Sequence, residues 1–182
     1  MERVATLTFS DTRTSADDEG GRLLGALLGD AGFAVLSHAI VREEREALTA
    51  SVLGLCRDPS VDAVVCTGGT GVAPRDIAIE AIAPLFDKTL EGFGEAFRRL
   101  SWDQIGPRAI LSRATAGFVA AGEPPRPVLV VLLPGSPKAV RLGVESLLAP
   151  TLGHAVALAR GVGGHHHGHD HGPRGGAGGH GT

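Results

Sequence analysis

The stretch Val61-Asp62-Ala63-Val64-Val65-Cys66-Thr67-Gly68-Gly69-Thr70-Gly71 joins an apolar run to a hydroxyl-flanked glycine loop. A short, continuous apolar run bounded by glycine reads as a buried strand of a parallel sheet. Gly68, Gly69 and Gly71 permit positive φ and close approach of backbone amides to a ligand, and the Thr67 and Thr70 hydroxyls add donors. Phosphate is the expected occupant. The loop matches neither common nucleotide fingerprint: there is no Walker-type run, and Gly69-Thr70-Gly71-Val72-Ala73-Pro74 departs from GxGxxG at its last position. A strand running into glycines is also an ordinary turn, so the surrounding residues decide the matter.

Outward from that strand, apolar runs alternate with helical patterns. Residues 4–9 form a first strand, and Leu23, Leu24, Leu27, Leu28 and Ala31 recur at helical spacing before Gly32. Residues 33–40 supply a second strand, and Ala47, Leu48, Ser51, Val52 and Leu55 lay out a second helix ending before Pro59. Beyond the glycine loop, Ile77, Ala78, Ala81 and Ile82 mark a short helix, and Phe93, Ala96, Phe97 and Leu100 mark another. Residues 108–120 read as extended. Residues 128–133, Val-Leu-Val-Val-Leu-Leu, suit a central parallel strand, followed by a helix carrying Val140, Val144, Leu147 and Leu148. The fold class is therefore α/β: a doubly wound, mostly parallel sheet with helices on both faces.

In such sheets the loops leaving the carboxyl ends of parallel strands share one edge, where ligands bind. Three loops qualify: Ser10-Asp11-Thr12-Arg13, residues 67–71, and Pro134-Gly135-Ser136-Pro137-Lys138. Asp76 precedes a helical pattern and reads either as an N-cap or as a carboxylate ligand for Mg²⁺, which favours one or two carboxylates plus phosphate oxygens. Arg75 beside it is placed to meet an anion. Ser136 and Pro137 fit the N-cap and first helical positions, whereas Lys138 opposes the helix dipole unless an anion sits between them. Asp11 and Arg13 also fit a simple turn, and Glu43 lies in a charge run, Arg42-Glu43-Glu44-Arg45-Glu46, that reads equally as a solvated helix start. His38 and His154 are unclustered and stay outside the site.

Composition bounds the function. The 182 residues, 43% hydrophobic and 20% charged with formal charge −3, leave no basic stripe for nucleic acid. Met1-Glu2-Arg3-Val4-Ala5-Thr6-Leu7 lacks the parts of a signal peptide, and no apolar run approaches a membrane span, so the cytoplasm is the expected location. Cys56 and Cys66 sit in apolar segments as small reduced hydrophobes. The sequence thus divides into one domain, residues 1–160, and a Gly/His-rich tail, residues 161–182, with no apolar periodicity to offset the entropy of ordering. His165, His166, His167, His169, His171 and His180 suit zinc, nickel or copper, which makes metal sensing or storage one functional alternative.

Taken together, Phe9-Ser10-Asp11, residues 67–71 with Arg75-Asp76, Gly92-Phe93-Gly94-Glu95, Ile110-Leu111-Ser112-Arg113 and Pro134-Gly135-Ser136-Pro137-Lys138 resemble the MogA/MoaB molybdopterin-binding family. Leu100-Ser101-Trp102-Asp103-Gln104-Ile105-Gly106 and the short C-terminal region look more like the MoaB branch. The resemblance implies a trimer, or a hexamer built from two trimers, acting in molybdenum cofactor biosynthesis alongside other proteins of that pathway. It implies adenylylation of molybdopterin by ATP and Mg²⁺, with release of pyrophosphate. Asp76 matches a family aspartate of the catalytic magnesium and phosphate site, and Glu43 stands where catalytically competent relatives often carry aspartate. Ser10, Asp11, Thr67, Gly68, Gly69, Thr70, Gly71, Gly135, Ser136 and Lys138 are then the expected substrate contacts. The alternative, suggested by Glu43, is a molybdopterin-binding or assembly protein that has lost efficient adenylyl transfer.

Overall fold

Alternating side chains along each strand decide which helix covers which face. In the computed structural model, which describes residues 1–162, Val4 of β1 (Arg3–Phe9) points to one face and Ala5, Leu7 and Phe9 to the other. The same split recurs in β3 (Ala63–Thr67), with Ala63 and Val65 opposed to Val64 and Cys66. In β6 (Arg126–Leu133), Leu129, Val131 and Leu133 oppose Val128, Val130 and Leu132. These strands are buried on both faces, which is why they read as unbroken apolar runs. The first face is covered by α1 (Glu19–Asp30), α4 (Glu91–Ile105), α5 (Pro137–Gly143) and α6 (Ala149–Ala159), through Leu24, Leu28, Phe97, Val140 and Leu152. The second is covered by α2 (Arg45–Arg57) and α3 (Ala78–Ile82), through Leu48, Val52, Cys56 and Ile82.

With β2 (Ala34–Val41), β4 (Lys88–Thr89) and β5 (Thr115–Ala121), the sheet has the order β2-β1-β3-β6-β5-β4. The first four strands in that order are parallel, β5 runs antiparallel to β6, and β4 antiparallel to β5. The chain steps one way from β1 to β2 and then returns past β1 to β3. The β1/β3 boundary is therefore the topological switch point, and the loops after both strands open there.

The expectation of a mostly parallel sheet holds, with one correction at residues 108–120. Gly106–Leu111 is a 3₁₀ turn, and only Thr115–Ala121 is extended, forming a hairpin with β6. An apolar strand is buried alike by a parallel or an antiparallel neighbour, so the β6 run carries no sign of its hairpin partner. A second correction concerns the membrane test. The helical stretch Pro137–Ala159, continuous through one π-helical turn at Val144–Leu148, has the length and mean hydropathy, 1.3, of a span. Val140, Val144, Leu148, Leu152 and Val156 bury its inner face on the sheet, and Lys138, Arg141 and Glu145 lie outside. It is a core helix of the domain.

Two polar clusters fasten the fold. Asp18, buried at the start of α1, accepts from Gly21 N at 2.9 Å and meets His38 Nε2 at 2.9 Å, while His38 Nδ1 meets Thr6 Oγ1 at 2.9 Å. At the opposite edge Asp62 accepts from Arg3 N and Nε and from Arg160 Nη2 at 2.8–3.1 Å. Burial opposes ionisation of Asp62, but these bonds outweigh it and hold the pKa at about 2. The Gly/His-rich tail of the sequence reading lies outside the described residues.

Candidate functional site

The three loops converge. A cavity of about 730 Å³ opens between them, lined by Phe9, Gly68, Gly69, Thr70 and Gly71 on one side and by Pro134, Gly135 and Ser136 on the other. Gly68 has φ +104°, and a Cβ there would lie 2.3 Å from Phe9 O, so the glycine loop turns against the end of β1. Gly68 N is used on Leu133 O at 3.0 Å. The amides of Gly69, Thr70 and Gly71 have no protein acceptor among the described residues, which leaves them for an anion. Ser136 caps α5, its Oγ accepting from Ala139 N at 3.3 Å, with Pro137 in the first turn.

Glu43 and Asp76 enter the same cavity from different elements. Glu43 follows β2 and lies over Gly69, where a Cβ would stand 2.6 Å from its Oε2. That oxygen is buried without a hydrogen-bond partner among the described residues. Burial, then the charges of Asp76 and Asp11, push the Glu43 carboxyl above the usual glutamate range. Asp76 Oδ2 accepts from Ala73 N at 2.8 Å and closes a turn. It is not the cap of α3: that position is Ile77, which offers no side-chain bond.

Several expected contacts are used within the protein. Thr67 is buried and donates its hydroxyl to Pro134 O at 3.0 Å, tying the second loop to the third rather than lining the cavity. Ser10 Oγ accepts from the amides of Thr12 and Arg13. Asp11 binds Arg75 Nε at 3.0 Å and accepts from Glu43 N at 3.1 Å. The Arg75 hydrogen bond holds the Asp11 carboxyl below its usual range, and Arg75 thereby meets a protein carboxylate instead of a ligand. Neither Ser10 nor Asp11 lines the cavity. Lys138 is also outside it, in a separate hollow of about 500 Å³ with Gln104, Arg141 and Glu145. Its place one residue past Pro137 sets a helix phase that turns it away.

Other residues complete the walls. Arg13 and Arg108 supply cations, Phe97, Ile105 and Leu111 an apolar surface, and Ser101 and Ser112 hydroxyls. Ser112, also in the wall, has its Oγ buried without a partner among the described residues. Glu43 and Asp76 are the cavity's carboxylates and the residues that could hold a magnesium jointly with phosphate oxygens; no group of three ligating side chains occurs among the described residues. A second hollow of about 490 Å³ at the β4 edge, lined by Leu90, Phe118, Ala155 and Leu158, has no such convergence of donors.

Fold and site together define an α/β protein with a crevice at its switch point, lined by unused amides, arginines, two carboxylates and an apolar wall. Residues 5–154 match the model of the family described as "Probable molybdopterin binding domain". The chain belongs to that family. It is 46% identical over 159 residues to molybdenum cofactor biosynthesis protein B of Bacillus subtilis (strain 168), covering 87% of this chain and 90% of that protein. A crystal structure of a molybdenum cofactor biosynthesis protein B superposes with TM-score 0.81 at 42% identity, over 87% of this chain and 95% of the other. The tungsten cofactor synthesizing protein MoaB of Pyrococcus furiosus superposes with TM-score 0.74 at 35% identity, over 87% and 97%. The MoaB branch suggested by the residues around Trp102 is the branch these relatives carry.

Proposed function

We propose that this protein acts in molybdenum cofactor biosynthesis, binding molybdopterin in the loop cavity and adenylylating it with ATP. The observation that carries the reading is the meeting of unused amides at residues 69–71 with Asp76 and with Glu43, whose Oε2 has no partner among the described residues, in one space. The amides hold phosphate oxygens, and Arg13 and Arg108 add positive charge for a second phosphate group. Phe97, Ile105 and Leu111 receive the pterin ring, with the Ser101 and Ser112 hydroxyls available to its polar edge. The terminal phosphate oxygen of molybdopterin attacks the α-phosphorus of ATP, and the bond to the β-phosphate oxygen breaks to release pyrophosphate. No covalent enzyme intermediate is needed, so positioning and charge neutralisation supply the catalysis. Asp76 and Glu43 would hold Mg²⁺, which supplies neutralisation of phosphate charge. Asp11 serves as a positioning residue, fixing Glu43 through its backbone amide.

A second reading is favoured by the setting of Glu43, whose charge is opposed by burial and by Asp76 and Asp11, making it a weaker Mg²⁺ ligand: the chain is then a molybdopterin carrier or assembly protein. Purified protein with molybdopterin, ATP and Mg²⁺ is assayed for pyrophosphate, with molybdopterin binding measured in parallel. Adenylyl transfer predicts turnover that Asp76→Asn abolishes while binding persists. Binding without turnover in the unaltered chain selects the carrier. Exposed Val35 and Leu36 on the edge strand β2 support the self-association that the family implies, which sedimentation reads directly.

A further inference from the structure

Arg113 precedes β5 and lies outside the cavity, yet its guanidinium reaches three carbonyls of the phosphate loop. Nε donates to Gly71 O at 2.9 Å and to Thr70 O at 3.3 Å, and Nη2 donates to Asp76 O at 3.0 Å. Glu80 of α3 pairs with the same guanidinium and holds its plane. In a trans peptide the carbonyl and the following amide point in opposite directions. Fixing Thr70 O and Gly71 O behind the loop therefore turns the amides of Gly71 and Val72 toward the other side, where the cavity lies. Fixing Asp76 O sets the Asp76–Ile77 peptide in the same way, beside Glu43.

We infer that Arg113 is a positioning residue that presets the amide cradle from behind, so that the anion site exists before ligand arrives. The Thr70 and Gly71 carbonyls have no other hydrogen-bond donor among the described residues, and one planar fork with fixed donor directions holds both. A lysine ammonium on a flexible stem cannot reproduce that fork. This inference rests on the phosphate-cradle reading of residues 69–71.

The test compares the full chain with Arg113→Ala and Arg113→Lys. Backbone ¹⁵N order parameters for residues 69–72 are about 0.85 in the unaltered protein and fall below about 0.6 in Arg113→Ala, with the β3 and β6 values unchanged. Mg·ATP binding, read by calorimetry, weakens roughly 10- to 100-fold in Arg113→Ala and nearly as much in Arg113→Lys. Added guanidinium restores binding to Arg113→Ala, and methylammonium does not. Unchanged order parameters in the variants overturn the inference. Equal rescue by methylammonium also overturns it, because charge alone then suffices. If the unaltered chain fails to bind Mg·ATP, the adenylylation reading falls, and the order parameters still decide whether Arg113 sets the loop.

Discussion

Replacing Glu43 with Gln tests whether the site trades stability for function. The carboxylate oxygen Oε2 is buried without a partner, and the Asp76 and Asp11 charges oppose its ionisation. Glutamine keeps a polar atom in that place but removes the charge that burial and the two carboxylates oppose, and partial exposure of Glu43 to solvent limits the gain to about 1 kcal/mol. For a domain of this size that is a rise of roughly 2–4 °C in Tm. The pH dependence fixes the cause. Because the folded-state pKa of Glu43 is raised, its favourable contribution is fully present below the ordinary glutamate pKa and is lost as pH rises through the higher folded value. The advantage of Glu43→Gln is accordingly near zero at about pH 4 and grows toward neutrality. Thermal unfolding of both proteins across that range is the assay, with and without Mg·ATP. Ligand should stabilise the unaltered protein more than the variant. A lower Tm for Glu43→Gln at neutral pH, or a difference independent of pH, would refute the reasoning.

Four further predictions follow from the contacts. Asp62→Asn leaves Arg3 and Arg160 facing a neutral amide and should cost roughly 2–3 kcal/mol at neutral pH by urea unfolding, a deficit that disappears as pH falls through about 2, where Asp62 itself protonates. Gly68→Ala places a methyl 2.3 Å from Phe9 O at φ +104° and should lower stability by about 2 kcal/mol or more while abolishing molybdopterin binding in equilibrium dialysis. Lys138→Ala should leave the molybdopterin Kd within about twofold, because its side chain occupies another hollow; a loss near tenfold, about 1.4 kcal/mol, would return Lys138 to the site. Ser112→Ala removes an orphaned hydroxyl and should keep or raise Tm while weakening molybdopterin binding by about 1 kcal/mol, roughly fivefold.

Much of the fold is legible in the sequence because its central strands are buried on both faces, which prints continuous apolar runs at residues 61–66 and 128–133. The glycine loop is legible for a related reason: only glycine tolerates the approach of Gly68 to Phe9 O. Less readable was the short edge of the sheet. Thr115–Ala121 is rich in alanine, and its pairing with β6 depends on a turn that apolar periodicity does not encode. The site was read by residue type but not by direction. Ser136 is where its capping chemistry puts it, whereas Thr67, Asp11 and Arg75 satisfy one another's loops, and Lys138 turns outward with the first turn of α5. Arg108 carries no local pattern that separates it from a solvated arginine, and Arg113 stands in the Ile110-Leu111-Ser112-Arg113 motif with nothing in the sequence to say what it holds. Only the three-dimensional path of the 3₁₀ turn and the start of β5 brings the first into the cavity and the second behind the glycine loop.

The most direct measurement is a structure of the full chain with molybdopterin bound. The phosphate should lie on the amides of residues 69–71, opposite Ser136, with the pterin against Phe97, Ile105 and Leu111. Ligand bound at the β4-edge hollow or beside Lys138, with the loop cavity empty, would contradict the account.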